Sequence, residues 1–143
     1  MEMHKRVVSY RYLDVYQASY SASIRVFKEI LGKLPNSEKY DLRDQLSRSC
    51  KAVPRLIAEG YGKRHQRMGF QKYLDDAMAE CNETVVSLSH CRDIYDIKCD
   101  DLIDLYDKCG RQLYNLSKSW TKYKINNIRT SGPNHETGIG SGP

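Results

Sequence analysis

The sequence predicts an all-α fold, an antiparallel up-and-down bundle of four helices. Two observations carry that prediction. Apolar residues recur at steps of three and four in four successive segments joined by short connections, and no segment shows the alternation of a half-buried strand. Four amphipathic helices so connected bury their stripes most simply against one another.

The first helix, about residues 11–33, rests on Leu13, Tyr16, Tyr20, Ile24, Phe27, Leu31 and Leu34, expected on one core-facing stripe. It ends at Pro35-Asn36-Ser37, because proline lacks the N–H to continue and Asn and Ser compete for backbone hydrogen bonds. The second, about 40–62, repeats the pattern with Leu42, Leu46, Ser49 or Cys50, Val53, Leu56 or Ile57, and Gly60. The third, about 66–95, uses Phe70, Leu74, Ala77, Cys81, Thr84 or Val85, Leu88, Cys91 and Tyr95. After a break at Asp96 to Cys99, Leu102, Leu105, Cys109, Leu113, Leu116, Trp120 and Tyr123 define the fourth, about 100–124. Asp100, Asp101 and Asp104 at its start and Lys118, Lys122 and Lys124 at its end complement the helix dipole. Residues 1–124 thus read as one domain. Residues 125–143, with Ser131-Gly132-Pro133 and a Gly- and Ser-rich end, read as a disordered tail.

Composition narrows the class. A chain of 143 residues with 40% hydrophobic and 29% charged residues is ordinary for one globular domain. Its apolar runs fall short of the roughly 18 residues that span a bilayer, so no membrane partner is expected. Met1 to Arg11 is polar and basic, without the apolar stretch of a secretory signal, and a cytoplasmic location is the expectation. Cys50, Cys81, Cys91, Cys99 and Cys109 are odd in number and never form Cys-x-x-Cys, which argues against a disulfide framework or a zinc site. The first three and Cys109 fall on apolar helical positions, where a thiol acts as a small hydrophobe.

Gln45 to Arg64 holds the most information. Pro54 sits inside a helical pattern, where it takes a donor from the carbonyl of Cys50 and is expected to kink the helix. Gly60 and Gly62 follow as residues able to take the positive φ that ends a helix. Glu59 has two readings, a site carboxylate or a bond to nearby backbone or an arginine, and the second is favoured because no catalytic partner lies near it in sequence. At about 100° per residue, Arg48, Lys51 and Arg55 fall opposite Leu46, Val53 and Gly60 and point outward. From Arg43 to Lys72 there are eight bases and two acids, a local +6 against +5 for the whole chain, so the rest sums to −1. Such a concentration attracts phosphates without reading sequence. Lys63, Arg64 and Arg67 complete the six candidate nucleic-acid-binding bases. His65 and exposed tyrosines could add contacts to bases, although eleven tyrosines also suit packing. On the third helix Asp76, Glu80 and Glu83 share one flank. They serve solubility, or pair with Arg48, Lys51 or Arg55 of a neighbouring subunit.

Leu13-Asp14-Val15-Tyr16-Gln17, then Gln45-Leu46, Arg48, Pro54, Ile57-Ala58-Glu59-Gly60 and Gly62, then Phe70, Tyr73-Leu74, Ala77 and Glu83 resemble the four-helix-bundle family encoded in intervening sequences of bacterial 23S ribosomal RNA genes. In that comparison Gln45, Pro54, Glu59, Gly60 and Gly62 are structural landmarks. The resemblance covers about Tyr12 to Tyr123 and implies a ring-like homopentamer without enzymatic activity. More distantly, the chain is similar to the accessory variability protein of diversity-generating retroelements, a basic pentamer, which implies nucleic acid and a reverse transcriptase as partners. Leu56 stands where the family usually has Asn, and Ala79-Glu80 where it has Gly-Ser.

Catalysis and cofactors find no support in the residues. A di-iron bundle needs Glu-x-x-His on two helices, whereas Glu83 and His90 are seven apart. No phosphate-binding Gly-rich loop, His-Glu-x-x-His or Gly-x-Ser-x-Gly occurs. Two function classes remain: a nucleic-acid-binding accessory protein, with a reverse transcriptase or ribosomal RNA as its setting, and a structural homo-oligomer whose basic face contacts protein.

Overall fold

The computed structural model describes residues 9–130, and within them every long element is a helix. Helix α1 is Asp14–Arg25, α2 Leu42–Gly62, α3 Gly69–Tyr95 and α4 Asp100–Thr130. A 3₁₀ turn, Tyr10–Tyr12, precedes α1, and the Ser9 side chain caps it by accepting the Arg11 N–H at 3.2 Å. After α1 the chain stays helical but changes pitch, through a π-type turn at Val26–Ile30 and a 3₁₀ turn at Leu31–Lys33. Another 3₁₀ turn, Asn36–Glu38, leads into α2. There one Glu38 oxygen accepts the Leu42 N–H at 3.1 Å and the other accepts the Tyr95 hydroxyl. These two bonds stabilise the carboxylate, and the tyrosine bond, the larger of them, does most to hold Glu38 below the usual carboxylate range.

The helices form an antiparallel bundle. Along α2 and α3 the paired numbers run in opposite directions, with Gly60 against Tyr73 and the buried Ser49 and Thr84 hydroxyls meeting at 2.9 Å. The α3–α4 pair does the same, with Phe70 on Trp120 and the Cys99 thiol on the Leu88 carbonyl. Leu46, Val53, Ile57, Leu74, Leu88, Leu102, Tyr106 and Leu113 fill the centre. All five cysteines are free and buried. Burial pushes the thiols of Cys50, Cys81 and Cys91 up to about 12 and that of Cys109 up to about 11, so they stay protonated and pack as apolar groups.

Three expectations need correction. Helix α1 turns a different face inward: Val15, Ser19, Ala22, Ser23, Val26 and Ile30 are buried, whereas Tyr20, Ile24 and Phe27 are 51%, 40% and 43% exposed. Small residues allow close helix approach, and the Ser19 and Ser23 hydroxyls satisfy themselves on the carbonyls of Tyr16 and Tyr20. Next, α2 does end at Gly62, but neither Gly60 nor Gly62 takes a positive φ, and the left-handed non-glycine residues are Met68 and Asp96, at φ 58° and 57°. Gly60 is required by packing instead, because a Cβ there would sit 2.5 Å from the Tyr73 Cβ. Helix α2 continues through Pro54, whose buried ring lines a groove beside α1. Last, α4 continues beyond 124 to Thr130, since nothing from Ile125 to Thr130 breaks a helix and the first Gly-Pro pair comes at Gly132-Pro133. The rest of the expected tail, 131–143, and residues 1–8 lie outside the described residues.

Candidate nucleic-acid interface

The six candidate bases separate into two groups of three. Arg48, Lys51 and Arg55 are exposed on the outer face of α2, opposite buried Leu46, Val53, Ile57 and Gly60. Carboxylates surround them. The Arg48 Nε lies 3.1 Å from Asp44 Oδ2, and an Arg55 terminal nitrogen 3.6 Å from Glu59 Oε1. Glu59 therefore has an arginine one turn away, as its structural reading expected. Gln45 is exposed in the first turn of the same helix, and Gly62 ends it with open space around its Cα.

Across a groove of about 280 Å³ stand Glu80 and Glu83 of α3. Burial, and then its neighbour Glu83, raises the pKa of Glu80, while Arg55 and Arg48 pull the other way. Two of the three acids that could have met a neighbouring subunit thus face the bases of their own chain, while Asp76 is exposed. Lys51 Nζ lies 5.5 Å from the centre of the Phe27 ring in the π-type turn after α1.

Lys63, Arg64 and Arg67 sit in the connection between α2 and α3, at one end of the bundle. Backbone bonds fold it tightly: Lys63 N–H to Gly60, Gln66 N–H to Lys63 and Gly69 N–H to Gln66. Gly69 is obligatory there, because a Cβ would fall 2.2 Å from the Lys63 carbonyl oxygen. Lys63 Nζ donates to the Tyr73 hydroxyl at 2.9 Å, a bond that raises its pKa. Arg64 donates to the Tyr61 carbonyl at 2.9 Å and lies 4.1 Å over the Tyr61 ring. Arg67 is exposed.

Beneath the connection Tyr61, Phe70 and Trp120 pack edge to face, with centroids 5.8 and 5.3 Å apart. From α4, Lys124 Nζ donates to the carbonyls of Arg64 and Gln66 at 2.7 and 3.3 Å, and burial lowers its pKa. At this end the cations are held chiefly by neutral oxygens and rings, with Glu59 acting on Lys63 from the last turn of α2, so most of their charge is kept rather than cancelled.

The contribution of α4 was not among the sequence candidates. Lys122 and Lys124 read there only as complements of the helix dipole. The missing step was topological: in an antiparallel bundle the end of the fourth helix lies beside the connection between the second and third. Taken together, residues 60–74 and 112–127 carry seven Lys and Arg and no Asp or Glu. No helix among the described residues is long and apolar enough to cross a membrane.

The family model of the 23S rRNA-intervening sequence protein matches residues 11–123. No curated protein and no solved structure matches the chain. The chain belongs to the 23S rRNA-intervening sequence protein family.

Proposed function

For this member of the family we propose a non-enzymatic accessory role, binding the phosphate backbone of nucleic acid, RNA foremost, through the basic end of the bundle. The supporting observation is that residues 60–74 and 112–127, which Lys124 ties together, carry seven bases and no acid, with Glu59 just outside them. Lys63, Arg67 and Lys122 act there as exposed cations with the half-buried Arg64 beside them, while Lys124 fixes the shape of the connection. Cations without carboxylate partners release phosphate counterions on binding and give an affinity that falls with salt. The family description, which names ribosomal RNA and no reaction, agrees with this reading. The test is a titration of a generic RNA between about 50 and 200 mM salt, where a steep fall is expected. Absence of binding at low salt overturns the proposal.

The alternative, in which basic residues contact protein, is favoured for Arg48, which pairs with Asp44 and faces Glu80 and Glu83 across the α2–α3 groove. The homopentameric ring and the reverse transcriptase implied by resemblance are separate proposals. A ring would bring several basic ends together and multiply their field. Sedimentation at equilibrium decides the ring: the mass of a single copy removes it and leaves RNA binding intact. Competition between a reverse transcriptase and RNA for the basic end decides the other.

A further inference from the structure

The outward face of α1 and the adjoining part of α2 enclose an open groove of about 420 Å³. Its lining includes Tyr16 and Tyr20 of α1, Phe27 of the π-type turn that follows, and Lys51, Pro54 and Arg55 of α2. No Asp or Glu lines it. The rings of Tyr16 and Tyr20 are near parallel, 25° apart in plane with centroids at 6.0 Å, and Tyr20 and Phe27 are about half exposed. Bundle packing accounts for Tyr16, which lies partly against the core, but not for Tyr20 and Phe27, since Val15, Ala22, Val26 and Ile30 are the residues buried on the other side.

We infer that this groove takes unpaired bases of a single-stranded nucleic acid, a deepening that rests on the nucleic-acid reading above. Flat apolar rings beside a row of cations suit a base and its phosphate together, because stacking is indifferent to base identity and the cation meets the backbone. In a duplex the base faces are already covered, so the rings gain nothing from it. A second copy of this chain seated on the same rings would instead have to cover Lys51 and Arg55.

Anisotropy titrations compare a labelled single-stranded 20-nucleotide uridine RNA, its thymidine DNA counterpart, and an RNA hairpin of equal phosphate number, all at low salt. The single strands are expected to bind several-fold more tightly than the hairpin. Tyr20→Ser/Phe27→Ser is expected to weaken single-strand binding about tenfold and leave the hairpin unchanged, while Tyr20→Phe keeps the preference. Equal loss on RNA and DNA identifies stacking as the source, and loss on RNA alone adds the 2′-hydroxyl to what the groove reads. If hairpin and single strand bind alike, or the double variant keeps the preference, the groove inference falls while the basic-end reading stands. If the double variant instead lowers the sedimenting mass and leaves the preference unchanged, the groove seats another copy and the inference is overturned. Failure of wild-type protein to bind any of the three removes both.

Discussion

The two ends of the bundle handle charge in opposite ways. At the end formed by the approach to α2 and the α3–α4 connection, arginines and acids meet directly. Arg25 bridges Glu29 at 2.9 Å and Asp101 at 2.5 Å, and Arg92 bridges Asp93 at 2.7 Å and Asp100 at 2.8 Å. At the other end Lys63, Arg64 and Lys124 donate to a tyrosine hydroxyl and to backbone carbonyls. The first arrangement neutralises the surface, and the second organises cations without spending their charge. Which positive residues are available to an anion therefore depends on their partners, and a count along the sequence does not supply those.

The largest effect follows from that difference. Lys63→Glu/Arg64→Glu/Arg67→Glu is expected to lower RNA affinity at least about 100-fold near 0.1 M salt, because each lost phosphate contact also removes its counterion release. The same reversal at Arg48, Lys51 and Arg55, a face that acids already flank, is expected to cost less than about tenfold on duplex RNA. Equal losses from the two triples would erase the distinction between them. The control is circular dichroism, since all six residues lie on the surface or only partly covered.

Two glycines near the basic end give the next effect, on stability. Gly60→Ala drives a methyl to 2.5 Å from the Tyr73 Cβ, a backbone-proximal atom that cannot swing away. The expected cost is about 1–3 kcal/mol in urea unfolding. Gly62→Ala meets nothing within 4 Å in a helical position, and is expected to be neutral or to stabilise by up to about 1 kcal/mol. If both substitutions behave alike, close approach of α2 and α3 at Gly60 is not what holds the basic end in shape.

Much of the fold was legible because large apolar residues set the period of α2, α3 and α4. Helix α1 was misread for an instructive reason. It carries two stripes with helical spacing, one of Tyr16, Tyr20, Ile24 and Phe27 and one of Val15, Ser19, Ala22, Val26 and Ile30. Hydrophobicity favours the first, but close packing selects the second, whose small side chains let α1 lie near its neighbours. Cys99, placed in a connection by the sequence, is buried for a similar reason, its thiol meeting the Leu88 carbonyl. The outward placement of Arg48, Lys51 and Arg55 could be read from angle alone, yet Glu80 and Glu83 opposite them needed the α2–α3 register. Lys122 and Lys124 needed only the topology.

Acid should discriminate between the ends next. Glu29, Glu38, Asp93 and Asp101 have depressed pKa values in the folded state, each held chiefly by a hydrogen bond from Arg25, Tyr95, Arg92 and Arg25 respectively. Their stabilisation is present above the unfolded carboxylate pKa and is lost as pH falls below the usual carboxylate range and through the folded values. Thermal melts from about pH 6 to pH 3 are expected to drop steadily in the wild type. Asp101→Asn/Glu38→Gln should start lower and drop less. An unchanged slope in that variant would mean the acid end does not govern the response.

The smallest effect tests the neutralised end directly. Arg25 gathers two carboxylates, but its side chain is 38% exposed and Asp101 is 66% exposed, so water and salt screen the pairs. Arg25→Ala is therefore expected to cost about 0–1 kcal/mol of stability, toward the upper part of that range because two partners are lost at once. It should leave RNA affinity at wild-type level, since removing this cation also frees two acids far from the α2–α3 connection. An RNA loss comparable to that from the Lys63, Arg64 and Arg67 triple would show the field of the whole molecule, rather than the local absence of acids, to be what an anion reads.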